Sequence, residues 1–257
     1  MAAACAAWEE YLCRNDYLQN TNSGQQKQQQ LQHITEENKH LCWAAHVAGG
    51  THHAFFDYGE GFCIFSDIAV AANVLLKQYS PSPRRILIID LDVHQGNGNA
   101  ALFADNNQVK TFSMHCKGNY FSKKEVGDLD IELPIDCDDK VYLQNLQLWL
   151  NRIEEHEFDD DHISTDDTAL GKRKQFDLIF FQSGVDIHVE DRLGRLCVSQ
   201  AGISKRNEIV FDFADKLKVP LVISMGGGYP KSNWSPIIEA HAGVYIQAYQ
   251  YLLKKSQ

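Results

Sequence analysis

Four short apolar runs constrain the fold of this chain more than any other feature. RILIID (85–90), VKTFSMH (109–115), FDLIFFQSG (176–184) and VPLVISMGGG (219–228) are continuous and rich in β-branched and aromatic residues. Runs of this kind suit strands covered on both faces, because a strand with one wet face alternates polar and apolar residues. Between them lie segments of helical periodicity at about 64–79, 139–155 and 201–217. Strand and helix alternating along a chain predict an α/β domain whose parallel β-sheet is flanked by helices. The 257 residues, 44% of them hydrophobic, hold enough apolar mass for one large core, and the length does not require a second.

The N-terminal part differs from the rest. A short alanine-rich helical piece is followed by TNSGQQKQQQLQH, which cannot bury a core and reads as a loop or disordered insert. The expected organisation is an alanine- and glutamine-rich segment over 1–43, partly disordered, then a continuous domain over 44–257 carrying an acidic surface loop at 156–174. The seven cysteines are scattered, with neither paired nor CxxC spacing, which argues for a reducing intracellular compartment, nuclear or cytoplasmic. The start of the chain lacks the charged and apolar regions of a signal peptide, and no apolar run approaches the roughly 18 residues of a membrane span. A net charge of −10 makes nucleic acid and acidic membranes poor partners and a basic protein tail a better one.

In open α/β sheets ligands bind beyond the carboxyl ends of the strands, and the unusual residues of this chain collect there. IIDLDVHQGNG (88–98) places Asp90, Asp92 and His94 at alternate positions, which an extended strand end turns to one side. GVDIHVED (184–191) brings Asp186 and His188 to the end of a later strand. A lone Asp-x-His is more often a helix cap than a site. With the second cluster, Asp92, His94 and Asp186 form a three-ligand set with open positions, as catalytic zinc requires.

Two further motifs suit that chemistry. His52 and His53 lie in the glycine-rich stretch GGTHHAFFDYGEGF (49–62), and alone they read equally well as surface histidines. Beside a metal they supply the base and the acid that amide hydrolysis needs. SMGGGYP (224–230) lacks the spacing of a phosphate loop, but its glycines would let Tyr229 lean into the crevice and donate to an oxygen that becomes negative.

Together GGTHHAFFDYGEGFCIFSDIAVAA (49–72), RILIIDLDVHQGNGNAALF (85–103), FQSGVDIHVEDRLGRLCVS (181–199) and SMGGGYP resemble the histone deacetylase and acetoin-utilisation family. TFSMHCKGNYFSKKEVGDLDIELP (111–134), with DRLG, is most similar to the class IV deacetylases and their bacterial relatives. The resemblance implies an arginase/deacetylase-like fold and zinc-dependent hydrolysis of N6-acyl-lysine in proteins such as histone tails, a chromatin-regulating activity. It implies one zinc ion on Asp92, His94 and Asp186, with His52 and His53 as the catalytic pair, His53 the principal base, and Tyr229 polarising the carbonyl. Asp90 would stand behind His52 and Asn97 behind His53, where some relatives have aspartate, leaving His53 less easily kept protonated. Gly61, Phe62 and Tyr120 would line the tunnel for the acyl-lysine stem. A structural potassium ion would lie among Asp90, the carbonyls of Asp92 and His94, and the Ser113 region. Class IV likeness also implies long-chain acyl groups beside acetyl.

Only about 48 residues precede the glycine–histidine stretch, fewer than the family places there, so an incomplete scaffold with exposed sheet edge and weak stability is expected. Two other functions compete with the deacetylase reading. The paired Asp-x-His elements Asp92/His94 and Asp186/His188 also suit a binuclear, arginase-like site. A shortened relative would serve as an inert binding module.

Overall fold

Ile86 and Ile88 point to one side of their strand, Leu87 and Ile89 to the other, and all four are buried, so the strand needs cover on both faces. In the computed structural model, which describes residues 1–15, 41–119, 123–155, 158 and 175–255, it lies inside a six-stranded parallel sheet. The strands are β1 (Ala44–His46), β2 (Ile86–Asp90), β3 (Val109–Cys116), β4 (Leu129–Leu133), β5 (Leu178–Gln182) and β6 (Leu221–Ser224). Their spatial order is β1-β6-β5-β2-β3-β4, and every neighbouring pair is parallel. From β2 the chain winds outward through β3 to β4, whereas β5 and β6 lie on the other side of β2 toward β1. The crevice at that reversal, between the carboxyl ends of β2 and β5, is where such sheets bind ligands.

Helices cover both faces. On one, α1 (Ala2–Arg14), α2 (Asp67–Gln78) and α3 (Asn97–Phe103) share an apolar layer with Ile86, Ile88, Leu178, Phe180 and Val222. On the other, α4 (Asp139–Glu154), α5 (Gln200–Leu217) and α6 (Ser235–Lys255) pack on Leu87, Ile89, Ile179, Phe181, Leu221 and Ile223. The buried residues of α4 are Tyr142, Leu146, Leu150 and Ile153, a single stripe at helical spacing. Side chains fix where helices start: Ser66 accepts from Ala69 N, Asp138 from Val141 N and Ser199 from Gly202 N. Lys218, with φ 58°, ends α5 in a left-handed turn that feeds β6.

The four apolar runs are strands and the three periodic segments are helices, as the sequence predicts. Strands β1 and β4, and helices α3 and α6, were not anticipated. The alanine-rich piece is α1, whose Ala4, Ala7, Trp8 and Leu12 are buried and whose Trp8 indole donates to Pro81 O at 3.0 Å. TNSGQQKQQQLQH and, apart from Phe158, the stretch 156–174 lie outside the described residues. The sheet is continuous across its six strands, with the short, half-exposed β1 at one edge and β4 at the other. Cys5, Cys63, Cys116, Cys137 and Cys197 are free thiols, and no helix among the described residues is long and apolar enough to cross a membrane.

Phe181 is fully buried between Phe211, at 6.5 Å between ring centroids, and the Arg206 guanidinium, at 5.4 Å. Phe181→Ala is expected to cost about 3–5 kcal/mol of stability in urea unfolding. Leu148→Ala, at a half-exposed position on α4, is expected to change it by less than about 0.5 kcal/mol.

Candidate metal centre

β2 ends at Asp90, and the six residues after it fold into a tight loop instead of continuing the strand. This corrects the extended strand end expected from the sequence. Asp92 N donates to Asp90 Oδ1 at 3.2 Å and His94 N to Asp92 Oδ1 at 3.0 Å, so each carboxylate caps the backbone two residues on. Asp92 and His94 still converge with Asp186 from the loop after β5: ligand atoms from the three residues lie within 4.8 Å of one another, and all three residues are buried. His94 Nδ1 is 3.1 Å from Asp92 Oδ1 and 3.3 Å from Asp186 Oδ2.

The surroundings fix these carboxylates. Asp186 Oδ1 accepts from Val93 N at 2.9 Å, while Asp92 Oδ2 accepts from Gly227 N at 2.8 Å and from the Gln182 amide at 3.3 Å. Gly227 makes this possible by close approach: a Cβ there would collide with Asp186 Oδ2. Asn119 Nδ2 sits 3.2 Å from His94 Nε2 and reaches Leu193 O.

The histidine pair enters from the loop after β1. Asp67, at the start of α2, holds that loop by accepting from Gly50 N, Thr51 N and the Thr51 hydroxyl at 2.8–3.0 Å. The His52 and His53 rings lie 4.0 Å apart, and His53 is 5.8 Å from His94, edge to face. His52 Nδ1 contacts Asp90 Oδ2 at 2.7 Å and its Nε2 lies 3.7 Å from Asp92 Oδ1. His53 Nδ1 is 2.6 Å from Asn97 Oδ1, and the Asn97 amide donates on to Glu60 at 3.1 Å.

These contacts drive the two imidazoles in opposite directions. Burial alone would lower His52, but the Asp90 and Asp92 carboxylates outweigh it and raise the pKa to about 9. His53 is lowered to about 3, first by burial and then by the charge on His52, while the bond to Asn97 acts in the opposite sense. Its neutrality therefore owes more to burial and to His52 than to the amide behind it.

The triad is consistent with a metal site. Burial, then repulsion from Asp92, pushes Asp186 up to about 8. Burial acts on Asp92 in the same direction, but the neighbouring imidazoles hold it well below the usual carboxylate range. Asp186 Oδ2 has no hydrogen-bond partner although it is fully buried. An orphaned carboxylate oxygen, a second carboxylate and an imidazole nitrogen are a donor set that suits a divalent ion such as zinc. His188 lies outside the triad, its Nδ1 accepting from Glu190 N at 3.0 Å, and no second three-ligand cluster occurs among the described residues.

The other expected residues surround this centre. The Tyr229 ring lies 6.0 Å from that of Phe62. Gly61 and Phe62 both have positive φ, 54° and 66°, and that strained turn leaves Phe62 86% exposed beside Tyr229. Ser113 pairs with Asp90 across the β2–β3 register, and its hydroxyl lies 3.0 Å from His115 Nδ1. Tyr120 lies outside the described residues.

Sequence reasoning missed Glu60, Asp67, Gln182, Asn119 and Arg206. Arg206 is fully buried and donates to Ser183 O at 3.3 Å and Gly184 O at 2.5 Å, bracing the turn that carries Asp186. A polar residue closing an apolar strand was the available signal for Gln182, and the others resemble ordinary loop and helix residues.

A model of the histone deacetylase domain matches residues 11–245. An uncharacterized protein of Picosynechococcus sp. is 42% identical over 189 residues, covering 74% of this chain and 57% of its own. Histone deacetylase 2 of Arabidopsis thaliana is 33% identical over 194 residues, covering 74% of this chain and 45% of its own. This chain thus spans about half the length of the curated relatives it matches. The crystal structure of the HDA15 HD domain superposes with a TM-score of 0.60 at 24% identity, over 80% of this chain and 58% of that one, a likeness of fold. With most of its length matched and a buried Asp-His-Asp triad at the sheet's switch point, the chain belongs to the histone deacetylase domain family.

Proposed function

We propose that this chain hydrolyses the amide bond of N6-acyl-lysine in proteins, with one zinc ion on Asp92, His94 and Asp186. The observation that carries the reading is a buried Asp-His-Asp triad with the His52–His53 pair against it, the His53 ring 5.8 Å from that of His94. Bound there, zinc would supply a Lewis acid that polarises the amide carbonyl and makes water a better nucleophile. His53, donating from Nδ1 to Asn97, would take a proton from the attacking water on Nε2. Once protonated, it returns that proton to the departing lysine amine. His52, held charged by Asp90, keeps a positive charge beside the oxygen that becomes negative. The Tyr229 hydroxyl donates to that oxygen.

Other parts of the reading rest on position. Gly61 and Phe62, with Tyr120 opposite, would line the acyl-lysine stem, and the exposed Phe62 ring suits methylene groups. Asp90, the carbonyls of Asp92 and His94, and Ser113 would hold a potassium ion under the triad, where Asp90 and Ser113 are register partners. The TFSMHCKGNYFSKKEVGDLDIELP block and DRLG favour the class IV branch, and with it long-chain acyl groups beside acetyl. A net charge of −10 favours basic tails such as those of histones over nucleic acid, and the scattered spacing of the seven cysteines favours a nuclear or cytoplasmic setting.

Purified protein is expected to carry close to one zinc ion per chain by elemental analysis and to release acetate and myristate from acetyl- and myristoyl-lysine peptides. Asp186→Ala is expected to lose both the metal and the turnover. Folded protein with neither zinc nor turnover would point instead to an inert binding module.

His53→Ala is expected to retain zinc while kcat falls by about 10²–10⁴. Tyr229→Phe is expected to retain zinc with kcat lower by about 10²–10³. Steady-state kinetics on zinc-quantified samples checks both, and a variant that keeps its metal and full kcat removes that residue from the mechanism.

A further inference from the structure

Tyr229 sits on a glycine-rich loop, a poor platform for a hydroxyl that must be placed to within a fraction of an ångström. The loop is fastened to its neighbour at two points. At the first, Gly227 O accepts from Val185 N at 2.7 Å and Asp186 N at 3.2 Å, and Gly227 N donates to Asp92. The second lies at Tyr229 itself and is made by Asp191 and Arg192. Asp191 Oδ2 accepts from Tyr229 N at 2.5 Å, and Arg192 N donates back to Tyr229 O at 2.8 Å. Asp191 also bridges to Pro230 in antiparallel fashion. Its other oxygen, Oδ1, accepts from Leu193 N at 2.8 Å and Gly194 N at 2.7 Å, which fixes the carboxylate in its own turn. The side chain is 3% exposed.

A buried carboxylate bonded to three backbone amides is costly to place unless it organises something, since burial disfavours the charge it must carry. Two of these amides belong to its own turn, and the third is the amide of the tyrosine. Asp191 is part of the DRLG motif, to which the proposed hydrolysis assigns no role. We propose that Asp191 is a positioning residue that clamps the main chain of Tyr229 to the loop carrying Asp186, and so sets the Tyr229 hydroxyl over the mouth of the metal centre. The inference rests on the reading of Tyr229 as the carbonyl-polarising group. Asp191 reaches the reaction only through Tyr229.

Asp191→Asn is nearly isosteric, but it replaces one acceptor with an NH2 group that must face an N–H whichever way the amide turns. A double-mutant cycle on zinc-loaded protein separates positioning from general support of the loop. With zinc content and KM held, Asp191→Asn is expected to lower kcat by about ten- to a hundred-fold in the wild-type background. In the Tyr229→Phe background it is expected to lower kcat by less than about two-fold, since no hydroxyl remains to misplace. An equal loss in both backgrounds overturns the positioning role. Full activity of Tyr229→Phe by itself overturns the reading of Tyr229 on which the inference stands.

A second readout needs no turnover. With 3-fluorotyrosine at position 229, the 19F resonance is expected to shift or broaden on Asp191→Asn, and an unchanged line counts against the clamp. Should Asp191→Asn fail to fold, Asp191→Glu keeps the charge and alters the reach, and it carries the same cycle and the same spectrum.

Discussion

Asp92 and Asp186 bring two carboxylates together where neither is accessible to solvent, and the structure around them responds to that pair of charges. Burial first, and then repulsion from Asp92, pushes the Asp186 carboxyl up to about 8, while the neighbouring imidazoles hold Asp92 well below the usual carboxylate range. Three oxygens of the pair bond to fixed donors: Val93 N, His94 N, and Gly227 N with the Gln182 amide. The fourth, Asp186 Oδ2, is unsatisfied and faces His94. The backbone thus dictates which oxygen stays available, and an entering ion would meet a donor set already oriented.

The same charges separate the histidines. His52 lies between Asp90 and Asp92 and takes up charge, and that charge, added to burial, keeps its neighbour neutral. Two identical side chains adjacent in sequence thereby acquire opposite electrostatic states. The cause lies in what each ring faces, the end of β2 for His52 and the start of α3 for His53.

Legibility in the sequence followed burial and chemical type. Strands β2, β3, β5 and β6 were readable because both their faces are dry, which leaves an unbroken apolar run. β1, at three residues, and β4, whose LDIEL is half exposed, lack that signature, since edge strands need little apolar surface. Asp92, His94 and Asp186 were readable because ionisable residues directly after apolar strands are conspicuous, and the structure brings them together. Asp67 and Asp191 act by holding backbone that lies far away in sequence, and Glu60 by holding the Asn97 side chain, and no local pattern records such contacts. Asp67 reads as an ordinary first-turn acid of α2, while its carboxylate holds the histidine loop.

The strand order has a temporal consequence. β1 pairs with β6, and the triad draws on the ends of β2 and β5 while depending on the amide of Gly227 beyond β6. A chain emerging from the ribosome would therefore present Asp92 and His94 long before their partners exist. Until Asp186 follows, about 90 residues later, these residues are a bare two-ligand pair, with Asp90 beside them and no third arm to enclose an ion. Closure of the centre waits for β6 to insert between β1 and β5, a step that joins contacts of very long sequence separation and is slow for that reason. An ion held by the triad would therefore be enclosed only as the sheet is completed, and would report that the last strand has reached its place.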